Sequence, residues 1–252
     1  MSKKPSESLP ISRLFPNIVT IIGLCFGLFA LKYAMAERWE MAVGFVVIAA
    51  FIDGMDGRLA RILNASSDFG AQLDSLADFF NFGIAPALIL YMWITHEVKG
   101  LGWAIALFFI ISQALRLARF NVSLEEDDEH DKKVNDNFFR GIPAPCGAGL
   151  SLIPMMLSFL FADKFDTPPF EITPIIVIFY MAIIAILMVS RIPTISVKKS
   201  KVRREYASVF LSIAALLVIA FIIEPWIVLP AIGIGYLLTI PFSVISYLRI
   251  KV

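Results

Sequence analysis

Hydrophobic residues run along this chain in long, nearly unbroken stretches separated by short polar or turn-forming breaks. The pattern has neither the strict alternation of a half-buried strand nor the narrow apolar stripe of a soluble amphipathic helix. A helix needs about 20 predominantly apolar residues to cross the hydrocarbon of a bilayer. Such stretches fall at 17–35, 39–62, 70–94, 102–122, 143–161, 172–190, 207–223 and 228–248. The breaks carry charge or turn chemistry: Glu37-Arg38, Asn64 to Asp68, Glu97 to Gly102, Glu125 to Arg140, Asp163 to Pro169, Arg191 to Arg204 and Glu224-Pro225. The pattern predicts an all-α integral membrane protein, a multi-pass bundle of eight transmembrane helices. The chain divides into a cytoplasmic N-terminal segment 1–16, a membrane domain 17–205 and additional C-terminal helices over 206–252.

Composition agrees. Of 252 residues, 58% are hydrophobic and 17% charged, against roughly 25% charged in soluble domains; a water-soluble domain is excluded. The net charge of +1 gives no reason to expect nucleic acid as a partner. Cys25 and Cys146 are too few for a disulfide framework or a Cys-based zinc site, and His96 and His130 are too few for a zinc hydrolase. Any metal here is expected to be a hard cation on carboxylates.

Charge placement sets the expected orientation, since Lys and Arg near helix ends stay on the cytoplasmic side. With the N-terminus inside and eight spans, 18 of the 22 cations face the cytoplasm, leaving Lys32, Arg38, Lys99 and Lys164 outside. Both termini are then cytoplasmic. The first apolar stretch is too long for a cleavable signal and lacks a small-residue cleavage site. Leu9, Ile11, Leu14 and Phe15 among Lys, Ser and Arg suit a short interfacial helix. The acidic run Glu125 to Asp131 reads as a solvated loop, and the basic run Lys198 to Arg204 as a topology signal attracted to anionic membrane lipids.

Against this background four aspartates stand out. Asp53, Asp56, Asp74 and Asp78 fall inside membrane-compatible stretches, where each costs roughly 2.5–3.5 kcal/mol at mid-helix, on the order of 10 kcal/mol together. At 100° per residue, Asp53, Asp56, Gly57, Ala60 and Arg61 lie within about 140° of one helical face, and Gly70, Asp74 and Asp78 within about 80° on the next helix. The short break between the two makes them antiparallel neighbours, so the carboxylates can converge near the cytoplasmic end. Converging carboxylates stay ionised only with a compensating charge. Oxygen-only ligation suits Mg²⁺ or Mn²⁺, with Ca²⁺ as a further option, and Mg²⁺ favours a few carboxylates plus substrate phosphates. Gly54 and Gly57 remove side chains where a ligand must approach the helix.

The residues Asp53-Gly54-Met55-Asp56-Gly57-Arg58-Leu59-Ala60-Arg61, then eight residues, then Gly70, Asp74 and Asp78, resemble the D-x-x-D-G-x-x-A-R-x8-G-x3-D-x3-D signature of the CDP-alcohol phosphatidyltransferases. The resemblance implies a membrane fold with the signature on two helices, two divalent ions at the cytoplasmic face, and a homodimer. It also implies transfer of a phosphatidyl group from a CDP-linked lipid to an alcohol, with release of CMP. By the same likeness Asp53, Asp56, Asp74 and Asp78 are metal ligands and Asp78 is also the catalytic base. Asp56, Gly57, Ala60, Arg61 and Gly70 would line the CDP-lipid site, Arg61 having the equal alternative of neutralising the carboxylates.

Further stretches resemble the phosphatidylserine synthase branch of that family: Pro16 to Thr20, Phe82 to Ala87, Arg116 to Asn121, Phe139 to Pro145 and Arg191 to Pro193. The implied reaction uses CDP-diacylglycerol and L-serine, in the plasma membrane of a prokaryote with a cytoplasm-facing site. Glycerol 3-phosphate, inositol phosphate or an ether-lipid donor are the alternatives within the same chemistry. Serine offers a carboxylate for bidentate pairing with arginine, so Arg116, Arg119 and Arg140, with Asn81 and Asn121, are the candidates for binding serine or phosphate. The competing class is a cation carrier, since intramembrane carboxylates also mark ion pathways; it would need acidic groups near the midplane and usually an internal repeat, and none is visible.

Overall fold

The computed structural model describes residues 15–63, 67–125, 138–164, 171–190, 192–195 and 206–251. The expected interfacial helix before Phe15, the acidic run beyond Glu125, Arg191 and the basic run Lys198 to Arg204 lie outside the described residues. Among the described residues ten α-helices follow one another: α1 (Phe15–Met35), α2 (Trp39–Ile62), α3 (Asp68–Phe79), α4 (Ala85–Trp93), α5 (Leu101–Glu125), α6 (Ala144–Ser151), α7 (Ile153–Lys164), α8 (Pro174–Val189), α9 (Ala207–Ile223) and α10 (Pro225–Lys251).

Each apolar stretch in the sequence coincides with helix, but the elements are less uniform than eight plain rods. Among the described residues, α1, the α3–α4 unit Asp68–Trp93, Leu101–Val122 of α5 and Pro225–Val244 of α10 are long and apolar enough to cross a membrane. The pair α6 and α7, bent by 40°, makes a fifth. The charges in α2, and the shorter lengths of α8 and α9 at 16 and 17 residues, keep these three below the same threshold. The all-α expectation holds, with one short addition. Strands β1 (Phe138–Arg140) and β2 (Pro193–Ile195) pair antiparallel, Phe139 opposite Thr194, in a short ribbon where the sequence suggested only loop. With three residues apiece, neither strand is long enough to show a readable alternation.

The helical hairpin of α1 and α2 is closed by a tight turn in which Glu37 adopts φ 57° and Arg38 N–H donates to the Tyr33 carbonyl at 2.9 Å. A left-handed residue at that position is a common way to stop a helix and reverse the chain. The buried stripe of α1 is Pro16, Thr20, Gly23, Gly27, Ala30 and Ala34, spaced three and four residues apart as a helix seam requires. It meets Ala42, Val43, Val46 and Ala49 of α2. Small residues here let two backbones approach closely, the usual source of helix association where lipid removes the hydrophobic drive.

The α3–α4 unit is interrupted by a π-helical turn over Phe80–Ile84. Its wide turn shifts the helical register, so Asp74 and Asp78 share one face before it while Ala85, Ala87, Ile89 and Leu90 enter the core after it. Within the turn Asn81 is buried against α1: a Cβ on Gly27 would collide with the Asn81 carboxamide oxygen. On the other side of the same turn Gly83 admits Gln113 of α5, whose Cγ would lie 2.9 Å from an added methyl. The centre of the bundle is built on α8, where Val177, Met181, Ile184, Ala185 and Met188 are buried among Ala106 and Phe109 of α5 and Ile142 beyond β1.

Gly27→Ala should lower the thermal midpoint in detergent by several degrees, since overpacking of this kind costs about 1–3 kcal/mol. Gly44→Ala, whose methyl meets nothing within 4 Å, should leave the midpoint unchanged or raise it, as read by circular dichroism.

Candidate active site

Helix α3 begins with Ser67 in an extended conformation, its hydroxyl accepting from Gly70 N–H at 3.1 Å. This cap satisfies one of the unpaired first-turn donors. It fixes where α3 starts and therefore which way Asp74 and Asp78 point. Across the turn, α2 presents Asp53 and Asp56. One carboxylate oxygen each from Asp53, Asp56 and Asp74 lie within 4.8 Å of one another. Asp78 joins this trio through Asp53, the two carboxyl groups facing each other at hydrogen-bonding range. Asp56 is 5% exposed, so its charge has almost no help from water.

These groups fit a divalent cation better than they fit one another. Asp74 Oδ1 and Asp78 Oδ1 are buried and have no hydrogen-bond partner among the described residues, an expensive state for a carboxylate oxygen unless something else is meant to contact it. The donor set is oxygen only, which suits Mg²⁺ or Mn²⁺. On α2, a Cβ added at Gly54 or Gly57 would meet nothing within 4 Å. The helix is therefore open beside the carboxylates, where a nucleotide could lie against its backbone.

Gly70 also has a packing role. A methyl there would come within 2.8 Å of Asn17 Oδ1 and 3.1 Å of Ser67 Oγ, so this glycine serves the packing of α3 on α1. Sequence reasoning also overlooked Thr20. Its hydroxyl is 2.8 Å from Asp56 Oδ2 and 3.1 Å from the Pro16 carbonyl. The available signal was a hydroxyl one turn after Pro16 on the buried face of an apolar helix. Thr20 and Asn17 together make the start of α1 a support for both halves of the carboxylate cluster.

The remaining candidates separate. Arg116 of α5 lies in electrostatic contact with Asp78, and its Nε donates to the Ile142 carbonyl at 2.7 Å. Arg119 is turned to the end of α8, where Nη1 donates to the Val189 carbonyl at 2.7 Å. Asn121 does reach the level of the aspartates: its Nδ2 donates to Ser75 Oγ at 3.1 Å, beside Asp74. Asn81 instead packs into the Gly23–Gly27 side of α1. The side chains of Ala60, Arg61 and Arg140 lie outside what is described.

The CDP-alcohol phosphatidyltransferase family model matches residues 13–190, and a second model, CDP-alcohol phosphatidyltransferase 2, matches residues 205–241. The CDP-diacylglycerol–serine O-phosphatidyltransferase of Mycobacterium tuberculosis (strain H37Rv) is 35% identical over 234 residues, which cover 93% of this chain and 79% of that protein. The enzyme of the same name from Helicobacter pylori (strain 26695) is 35% identical over 188 residues, 75% of this chain and 74% of its own. That from Bacillus subtilis (strain 168) is 36% identical over 146 residues, 58% and 76% respectively.

Removal of a group that orients a metal ligand typically weakens metal affinity 10–100-fold. Thr20→Val should therefore reduce Mn²⁺ affinity of the detergent-solubilised protein by that factor, titrated by electron paramagnetic resonance, with the helical circular-dichroism signal preserved.

Proposed function

The chain belongs to the CDP-alcohol phosphatidyltransferase family, and from that premise we propose that it transfers a phosphatidyl group from CDP-diacylglycerol to the hydroxyl of L-serine, giving phosphatidylserine and CMP. The observation that carries the chemistry is the convergence of Asp53, Asp56 and Asp74, joined by Asp78, from two antiparallel helices beside an open stretch of α2 backbone. The names of the relatives carry the choice of serine.

In this reading Asp53, Asp56, Asp74 and Asp78 hold two divalent ions, which when bound neutralise the diphosphate and make CMP a better leaving group. Gly54 and Gly57 leave room for the cytidine nucleotide against α2. Arg116 is the main acceptor-binding group: with Nε committed to Ile142, the other guanidinium N–H groups are the donors available to a serine carboxylate. Asp78 takes the proton from the serine hydroxyl as that oxygen attacks the lipid-bearing phosphorus. The bond from that phosphorus to the CMP oxygen breaks, and the proton on Asp78 later leaves to water. Arg119 and Asn121 act here as supports for the site, since their polar groups are directed at Val189 and Ser75.

The membrane arrangement that accompanies this function is eight spans with both termini and the site on the cytoplasmic side. It is supported by helix at every apolar stretch and by the cation bias of the sequence. A homodimer in a prokaryotic plasma membrane completes the reading; the bacterial sources of the relatives favour that membrane.

Purified protein with Mg²⁺ or Mn²⁺ should release CMP from CDP-diacylglycerol only when serine is added, and a chelator should abolish release. Turnover with glycerol 3-phosphate or inositol phosphate but not serine would overturn the acceptor assignment. Asp78→Asn should lower kcat by about 10²–10⁴, the range for loss of a general base, in protein that still extracts as a folded species.

A further inference from the structure

Helix α3 carries two of the four carboxylates, yet it has little apolar packing to hold it in place. Among its described residues only Ala77 is buried, while Phe69 and Leu76 are exposed. Its start is pinned by the Ser67 cap and by the close approach of Gly70 to Asn17. Both contacts lie a turn or more before the aspartates. The aspartates do not supply the missing restraint themselves: Asp74 Oδ1 and Asp78 Oδ1 are buried without a hydrogen-bond partner among the described residues, and like charges push apart.

The restraint at that level is a hydrogen bond to α5. Ser75 Oγ donates to the Ala71 carbonyl, one turn back, at 3.0 Å and accepts from Asn121 Nδ2 at 3.1 Å. Asn121 Oδ1 stands further off at 3.4 Å, so the single hydroxyl proton belongs on Ala71 and the oxygen is left as the acceptor that the Asn121 amide requires. Asn121 in turn stands on a firmly held stretch of α5. Arg116 Nε donates to the Ile142 carbonyl and Arg119 Nη1 to the Val189 carbonyl, each at 2.7 Å. At 100° per residue, Ser75 lies about 60° from Asp78 and about 100° from Asp74, with Ala77 on the opposite side of the aspartate pair. The buried alanine and the bonded serine therefore bracket the two carboxylates.

Roll about the axis matters here more than any small shift along it. With side chains ending about 5–6 Å from the axis, a rotation of about 20° moves a carboxylate by about 2 Å. Metal–ligand distances tolerate about 0.2 Å.

We propose that Ser75 and Asn121 are a positioning pair for the metal site: their hydrogen bond sets the roll of α3 against α5 and so keeps Asp74 and Asp78 turned toward Asp53 and Asp56. This rests on the four aspartates being metal ligands. It makes α5 the fixed frame against which the second half of the cluster is aligned.

The test is Mn²⁺ titration of full-length protein in detergent, read by electron paramagnetic resonance, with circular dichroism to identify the folded variants. Ser75→Ala and Asn121→Leu, on different helices, should each weaken Mn²⁺ binding about tenfold, the lower end of the cost of losing a group that orients a metal ligand. The double variant should be no weaker than either single one, because both remove the same bond. Ser75→Thr, which keeps the hydroxyl, should stay within twofold of the unsubstituted protein. Unchanged Mn²⁺ affinity in the folded single variants would overturn the proposal even if their thermal midpoints fell, since that is the signature of a structural bond alone. Additive losses in the double variant, or a Ser75→Thr protein as weak as Ser75→Ala, would overturn it too. So would a rise in the KM for serine in Asn121→Leu with Mn²⁺ affinity intact, which would make Asn121 an acceptor contact. Failure of the unsubstituted protein to bind Mn²⁺ would instead overturn the metal-ligand reading on which the proposal rests.

Discussion

Carboxylates held together in a medium with little water repel one another and lose hydration at the same time, and several particular features of this bundle follow from that double cost. Asp56 is nearly enclosed and takes a hydrogen bond from Thr20. Asp53 and Asp78 face each other, and Asp78 also feels the charge of Arg116. Neither the hydroxyl nor the arginine offsets the whole cluster, and Asp74 and Asp78 still carry buried oxygens without a hydrogen-bond partner among the described residues. A site left short of positive charge in this way is one that a divalent cation could complete and a neutral solute could not.

Positioning such a site demands backbone precision, and the packing around it supplies that through small residues rather than large ones. Gly23 and Gly27 bring α1 against α2 and the π-helical turn, Gly70 brings α3 against Asn17, and Gly83 lets Gln113 close on the turn that follows Asp78. Gly54 and Gly57 are of the same residue type on the neighbouring helix but face open space. The same chemistry, absence of a side chain, thus serves helix contact in one place and leaves the backbone open in another.

The helices and the convergence of the aspartates were legible in the sequence because both are carried by local rules: length and apolarity for the helices, helical periodicity for the carboxylates. Less was legible where a residue's job depends on a distant partner. Gly70 sits in the signature and read as a nucleotide contact; its packing against Asn17, far away in the chain, was not legible. Asn81 shares a face with Asp78 on an ideal helix; the π-helical turn shifts that register and sends it to α1 instead. Thr20 looked like one more small residue in an apolar run, and only the closed α1–α2 hairpin brings it to Asp56. The β1–β2 ribbon was illegible because three-residue strands have no periodicity of their own.

The arginines illustrate why charge counting and site assignment answer different questions. As cations near helix ends, Arg116 and Arg119 contribute equally to the orientation argument. As donors they diverge. Arg119 directs Nη1 to the carbonyl that ends α8, and so ties α5 to α8. Arg116 ties α5 to the Ile142 carbonyl through Nε, leaving the rest of its guanidinium to interact with the charge of Asp78. A lysine at either place would satisfy the orientation bias. Only an arginine can hold a backbone carbonyl with one nitrogen while presenting a planar pair of donors to something else. The division of labour between two residues three positions apart on one helix therefore comes from hydrogen-bond geometry, and no hydropathy or charge pattern along the chain encodes it.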